Sequence, residues 1–326
     1  MLARCLTMPF FRRMAWLLLI VGLGLLTAGA EALVRGGAGL ALKLGLTPLV
    51  IGLTVVAFGT SSPELVVSTQ ATLRGEGAIA IGNVVGSNIC NIALILGLCA
   101  LIRPLHASRE IIRRELPILI GVSLLGCVLL LDGRLGRIEG AFLTAGIITY
   151  TVYTVWAARR GNLPEAEKEF GDVTKRPLPL PVSILLTAAG LGLLIWGSDV
   201  FVTSAVTIAT SFGLSPVVIG LTVVAVGTSM PELATSVVAV FRNEVDVAIG
   251  NVVGSGIFNV LAILGIAAMI SPLEAPGLSR IDLLLMVAVA VVLLPMARTG
   301  GRVSRREGAL LLISYIGYTA WMIERS

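Results

Sequence analysis

Two hexapeptides place an acid inside otherwise apolar runs: Gly59-Thr60-Ser61-Ser62-Pro63-Glu64 and Gly227-Thr228-Ser229-Met230-Pro231-Glu232. A charged side chain at the centre of a membrane helix costs ~2.5–3.5 kcal/mol on insertion scales, and no Lys or Arg lies in the middle of a run where it could neutralise Glu64 or Glu232. A bound cation would supply the missing charge. Protonation is the competing solution, because burial disfavours the charged form of a carboxyl group.

Proline adds a second ingredient. Pro63 has no N–H and its ring clashes with the carbonyl of Gly59, four residues back, so the helix is expected to break there; Pro231 does the same to Gly227. Carbonyls freed at membrane depth are tolerated only where protein buries them or a cavity takes them up. These are expected to turn oxygen toward the Glu of the same segment, beside the hydroxyls of Thr60, Ser61, Thr228 and Ser229.

A second pair of segments follows each acid: Gly82-Asn83-Val84-Val85-Gly86-Ser87-Asn88-Ile89-Cys90-Asn91 and Gly250-Asn251-Val252-Val253-Gly254-Ser255-Gly256-Ile257-Phe258-Asn259. Ser87 and Asn91, like Ser255 and Asn259, are four apart and share a helix face. Their bland role is hydrogen bonding between helices, Asn83 and Asn251 stand open between that role and ion ligation, and the G-x-x-x-G spacings at Gly82/Gly86 and Gly250/Gly254 read as packing surfaces. The four segments offer carboxylate, hydroxyl, amide and backbone oxygen, the inventory of a hard cation. Ca2+ takes about 6–8 oxygens at ~2.3–2.6 Å in flexible arrangements. Two carboxylates balance one Ca2+, and the same cluster could be divided among several Na+ ions.

These segments must be held by membrane helices. The chain has 326 residues, 56% hydrophobic and 13% charged, with 37 Gly, against roughly 45–50% and ~25% in soluble domains; its mean hydropathy is +0.97. Apolar runs lie near 14–34, 48–72, 78–101, 116–131, 137–158, 181–206, 216–240, 246–271, 280–297 and 307–322. Each approaches the ~20 residues a span requires, so ten helices are expected and no soluble catalytic domain fits. The net charge of +5 comes from basic residues scattered through connectors, which argues against nucleic acid. The four Cys include no C-x-x-C pair and the only His is His106, which excludes a Cys/His zinc site.

The halves are copies. Shifting the sequence by 168 positions lays Leu46–Gly97 on Leu214–Gly265 without a gap, with 33 identities in 52 positions. The same shift matches Gly22 with Gly190, Gly29 with Gly197 and Glu31 with Asp199, two acids expected to be interfacial. Residues 1–158 form one five-helix repeat, 159–179 a polar connector and 180–326 the second repeat. An odd number of helices inverts the second copy, a recurrent plan of secondary transporters with the site at the bilayer midplane. The fold class is therefore an all-α membrane protein of ten helices in two inverted-topology repeats, with helices 2, 3, 7 and 8 as the ion-binding core. Eight of 24 Lys and Arg fall on the N-terminal side and sixteen on the other, which puts both termini outside the cytoplasm by the positive-inside rule.

The paired GTSSPE/GTSMPE and GNVVGSN/GNVVGSG segments resemble the alpha-repeats of the sodium/calcium exchanger family, within the cation/calcium exchanger superfamily, over nearly the whole chain. The resemblance implies that Glu64 and Glu232 bind Ca2+ with the carbonyls of Thr60 and Thr228. It places Na+ at Ser61, Ser87, Ser229 and Ser255, with the carbonyls of Ala57 and Ala225 and the side chains of Asn91 and Asn259 nearby. Some relatives carry Asp at one of the last two positions; Asn at both implies a formal site charge of −2 and weighs against K+ coupling. The short connector leaves no room for the large regulatory loop of animal relatives.

The expectation is a secondary active antiporter of a prokaryotic plasma membrane that exchanges Ca2+ for Na+ by alternating access, working as a monomer in the lipid bilayer without a cofactor. A Ca2+/H+ antiporter using the same glutamates is the nearest rival and a cation channel the next. An intramembrane enzyme would need a paired Asp, a Ser–His arrangement or H-E-x-x-H, and none is present.

Overall fold

The computed structural model describes residues 2–160, 178–211, 225–275 and 279–325. Among the described residues, six helices are long and apolar enough to cross a membrane, and a bent pair makes a seventh. This is a multi-pass integral membrane protein, mostly helical, and the apolar faces of its outer helices are exposed as they would be to lipid.

The longest elements are α1 (Leu2–Leu44) and α9 (Leu180–Ser211). Both overrun the apolar runs at 14–34 and 181–206, and they pack closely against each other. Gly22, Gly29 and Gly36 of α1 lie against α9 so closely that an added Cβ would stand 2.8 Å from Phe201 N, 2.9 Å from Gly190 O and 2.6 Å from Thr187 N. Gly190 and Gly197 return the approach against Leu33 N and Leu26 N, at 2.6 and 2.9 Å. Backbone contact at this spacing is what small residues permit in membranes, and at Gly36 it continues past the apolar limit at residue 34.

The next span is broken. It runs as α2 (Pro48–Ile51), a π-helical stretch Gly52–Val56, α3 (Ala57–Thr60) and α4 (Ser62–Leu73), with a 44° bend between its two halves. Its repeat partner is α10 (Ala225–Thr228) and α11 (Met230–Phe241); residues 216–224 of that run lie outside the described residues. The following spans are α5 (Gly77–Ile89), a π stretch Cys90–Leu96 and α6 (Gly97–Ile102) in the first half. In the second half they are α12 (Val245–Phe258), a π stretch Asn259–Leu264 and α13 (Gly265–Ile270). The turns into α5 and α12 use left-handed backbone at matching places, Gly75 with φ 78° and Asn243 with φ 64°, the second being a residue type that tolerates this region.

The outer helices are α7 (Leu116–Leu129), α8 (Arg137–Arg160), α14 (Arg280–Arg298) and α15 (Arg305–Arg325). Before α7, Glu115 is fully buried; Arg114 Nε at 2.6 Å and Tyr150 Oη at 2.8 Å donate to its carboxylate, tying this span to α8.

The all-α expectation needs one correction. Four two-residue strands, β1 (Leu105–His106), β2 (Arg134–Leu135), β3 (Leu273–Glu274) and β4 (Arg302–Val303), pair antiparallel as β1·β4 and β2·β3. Each pair joins connectors from opposite halves and so satisfies backbone groups that helices do not. Leu105 faces Val303 and Leu135 faces Leu273; moving each partner by 168 positions turns one pair into the other.

Candidate ion-binding site

Both Pro-containing segments break at the serine before the second half-helix. Ser61 has φ −83° and ψ 7°, and Ser229 has φ −88° and ψ 12°. Proline then sits in the first turn of α4 and of α11, where its missing N–H costs nothing. Glu64 and Glu232 occupy the same first turns, next to the positive end of the helix dipole. Thr60 ends α3 and Thr228 ends α10, so the terminal carbonyls of one half-helix meet the carboxylate-bearing start of the next.

The two breaks are cross-linked. Ser61 Oγ donates to Glu232 Oε1 at 2.8 Å, and Ser229 Oγ donates to Glu64 Oε1 at 3.2 Å. Ser229 Oγ also lies 3.4 Å from Ser87 Oγ, and the hydroxyls of Thr60 and Ser255 flank the Glu232 carboxylate. Each acid is thus held by the serine of the opposite repeat, and both carboxylates, 0% exposed, converge between the breaks. The structure brings Thr60, Ser61, Glu64, Ser87, Ser229, Glu232 and Ser255 to this one place. The side chain of Ala225 is outside the described set; that of Ala57 is buried, and its carbonyl accepts Ser61 N–H at 3.0 Å and the Thr60 hydroxyl at 3.4 Å. Thr228 is partly exposed.

Several buried oxygens have no hydrogen-bond partner: Glu64 Oε2, Glu232 Oε2 and Asn259 Oδ1, with both amide atoms of Asn91. Leaving such groups unmade in a membrane interior costs several kcal/mol each, at about the scale of a lost hydrogen bond without water. A metal ion would satisfy the oxygens among them, Asn91 Nδ2 being a donor that a cation does not serve. Among the described residues no cluster of three or more His, Cys, Asp or Glu exists, and Cys90, Cys99 and Cys127 are buried free thiols, so nothing there suits a soft metal.

Two sequence readings change here. The Gly227 carbonyl freed by Pro231 does not turn to its own Glu; Ser198 Oγ of α9 donates to it at 2.8 Å. Asn83 and Asn251, open between ligand and scaffold, are braces: their Nδ2 atoms donate to the carbonyls of Glu64 (3.2 Å) and Glu232 (3.3 Å) and to the hydroxyls of Ser68 (2.9 Å) and Ser236 (3.0 Å). Asn251 Oδ1 further accepts the Thr60 hydroxyl at 3.0 Å. Asn88 was not singled out as a candidate, yet it donates to the Gly256 carbonyl at 3.3 Å and accepts from Asn259 Nδ2 at 3.0 Å; the substitution of Gly256 for its repeat equivalent was the signal available.

A duplicated, oxygen-lined pair of broken helices is matched by the model of the sodium/calcium exchanger protein family over residues 14–158 and 182–324. This chain belongs to that family. It is 40% identical over 309 residues to CaxA of Alkalimonas amylolytica, covering 93% of this chain and 97% of that one. It is 38% identical over 320 residues to the inner membrane protein YrbG of Escherichia coli (strain K12), covering 95% and 97%. A solved structure of the sodium-calcium exchanger NCX_Mj, soaked with 10 mM Na+ and 10 mM Sr2+, superposes with a TM-score of 0.82 at 31% identity, covering 95% of this chain and 98% of the other. The protein is accordingly an antiporter of the exchanger family and not an enzyme.

Proposed function

We propose that this exchanger moves Ca2+ against Na+ across a prokaryotic plasma membrane by alternating access. Glu64 and Glu232 hold Ca2+ or Na+ in mutual exclusion, with Thr60, Thr228, Ala57 and Ala225 supplying carbonyls and Ser61, Ser87, Ser229, Ser255, Asn91 and Asn259 supplying side-chain oxygen. The crossed pairing of Ser61 with Glu232 and Ser229 with Glu64 carries this reading: it makes one −2 site from two repeats, too little charge for a full load of both ions. The likeness to NCX_Mj and the inner-membrane naming of YrbG support the ion pair and the location.

Ten membrane helices in two inverted five-helix repeats, 1–158 and 180–326 around a 159–179 connector, account for the 168-residue relation between the strand pairs and between the hydrogen bonds of the site. In this arrangement both termini lie outside the cytoplasm.

A further asymmetry supports alternation. Arg242, after α11, grips Glu31 of α1 with both ends of its guanidinium, Nε lying 2.9 Å from Oε2, and Arg35 adds a contact at 2.5 Å. The equivalent residues on the opposite face, Asp199 and Arg74, are exposed and form no ion pair among the described residues. Swapping which pair is made would swing α1 and α9 against the core. A surface pair of this kind is worth up to ~1 kcal/mol, so Arg242→Gln is expected to shift the balance of the two states by up to about fivefold. Distances between spin labels on α1 and α11 would report the shift, and an unchanged distribution would count against the latch.

The deciding experiment is Ca2+ uptake into proteoliposomes with Na+, K+ and pH gradients imposed separately. An outward-directed Na+ gradient is expected to drive uptake, with K+ having no effect. Uptake driven by a pH jump alone would assign the site to Ca2+/H+ exchange, and uptake needing no counter-ion would make it a channel.

A further inference from the structure

We propose that Asn88 is a positioning residue that decides which end of the Asn259 amide faces the ion site. The inference rests on the reading of the Glu64–Glu232 chamber as the cation site, and it deepens that reading by making the two repeats unequal.

The hydrogen-bond chain permits one arrangement. Asn88 Nδ2 lies 3.3 Å from the carbonyl oxygen of Gly256 and 3.7 Å from Met286 Sδ. Both are acceptors, so the nitrogen end of Asn88 must point there; turning the amide over would set oxygen against oxygen. Its Oδ1 is then committed to Asn259, whose Nδ2 donates to it at 3.0 Å. Asn259 is 0% exposed, and its remaining end, Oδ1, is buried without a partner. A cation accepts an oxygen ligand and is repelled by an amide NH2, so the chain from Gly256 through Asn88 presets Asn259 as an oxygen donor.

The first repeat lacks this device. Asn91 is the equivalent of Asn259, and the position equivalent to Asn88 is Gly256, which has no side chain to offer. Both amide atoms of Asn91 are unpartnered while the residue is 1% exposed. A Cβ on Gly256 would stand 2.8 Å from Leu119 Cδ1 and 3.9 Å from Asn88 Oδ1, so a second side chain there would have to share the space with both. Residue 88 and its own equivalent meet where the repeats meet, and one amide fills the room for two. Asn259 is therefore a fixed ligand, and Asn91 turns its amide according to the ion it meets.

The test is equilibrium binding of Ca2+ and, separately, Na+ to the purified full chain in detergent, with thermal unfolding measured alongside. Loss of one hydrogen bond that orients a charge-binding group predicts about a tenfold rise in the half-saturating ion concentration for Asn88→Ala. In an Asn259→Asp background both ends of the side chain are oxygen, orientation no longer matters, and Asn88→Ala should carry no such penalty. A penalty of equal size in both backgrounds, or a change in thermal stability with affinity unaltered, would overturn the proposal. Asn88→Leu, which keeps the volume, replaces Asn88→Ala if that variant does not fold. Glu232→Gln in the same assay separates the two levels: persisting ion binding there removes the chamber reading itself, whereas binding lost there but unaffected by residue 88 removes only the role of Asn88.

Discussion

Glu64→Gln and Glu232→Gln are each expected to reduce counter-ion-driven uptake of radiolabelled Ca2+ to the background of empty vesicles. The substitution keeps shape and one acceptor oxygen, so Ser229 can still donate to position 64 and Ser61 to position 232, at the places where they now lie 3.2 and 2.8 Å from carboxylate oxygen. What disappears is one of two negative charges. Two unit charges ~4 Å apart interact by ~4 kcal/mol at an effective dielectric constant of about 20, and a divalent ion doubles the term. Several kcal/mol corresponds to at least about three decades of affinity, enough to empty the site at working concentrations. Both variants should remain folded, because a neutral amide is easier to bury than an unpaired carboxylate. Vesicle flux read beside a thermal unfolding curve checks the pair. Near-normal flux in either variant would remove that glutamate from the site.

The elements of this site were unequally legible in the sequence. The breaks at Ser61 and Ser229 follow from proline four residues after glycine, a local steric fact independent of the rest of the fold. The acids stand out because lipid makes a lone carboxylate conspicuous. The partner of each acid was not legible: that Ser61 serves Glu232 and not its neighbour Glu64 depends on how two distant segments cross, and no spacing within either segment encodes it. The same holds for Ser198, whose hydroxyl takes up the carbonyl freed at Gly227; the equivalent position in the first repeat is Ala30, so duplication gave no hint. The braces Asn83 and Asn251 stood open between ligand and scaffold because an amide carries the same groups for either task. Helix ends were the least legible, since α1 and α9 run on past their apolar stretches into polar sequence and hydropathy windows mark only the apolar part. The short strands pair across the halves and leave no periodicity in two residues.

Duplication also explains what departs from it. Asn88 and its equivalent Gly256 differ where the two copies meet, the Asn88 amide nitrogen lying 3.3 Å from the Gly256 carbonyl. The residues cross-linked at the two breaks are kept alike, Ser61 with Ser229 and Glu64 with Glu232, because each serine serves the acid of the other repeat.

Gly254→Val is expected to have the second large effect, on assembly of the core. α12 crosses the first half of the broken span so closely that a Cβ on Gly254 would stand 2.7 Å from Leu53 O and 2.8 Å from Ala57 Cβ, and one on Gly250 would stand 2.9 Å from Leu49 O. Gly52 answers from the other side, its added Cβ 2.9 Å from Val247 O. These contacts are to backbone and to an alanine Cβ fixed on it, which cannot swing aside as a longer side chain can, so a branched residue must push the two helices apart. Overpacking of this kind costs ~1–3 kcal/mol and occasionally more, and separation would also pull Thr60 from Asn251 and Ser61 from Glu232, both now within 3.0 Å. The matching neighbours of Gly82 and Gly86 fall outside the described residues, so the prediction is confined to the second repeat. Thermal unfolding in detergent should begin well below that of the unmodified protein, and ion binding should be lost with it. Gly24→Ala, at a site where an added Cβ meets nothing within 4 Å, is the control, and equal stability of the two variants would contradict the backbone-contact explanation.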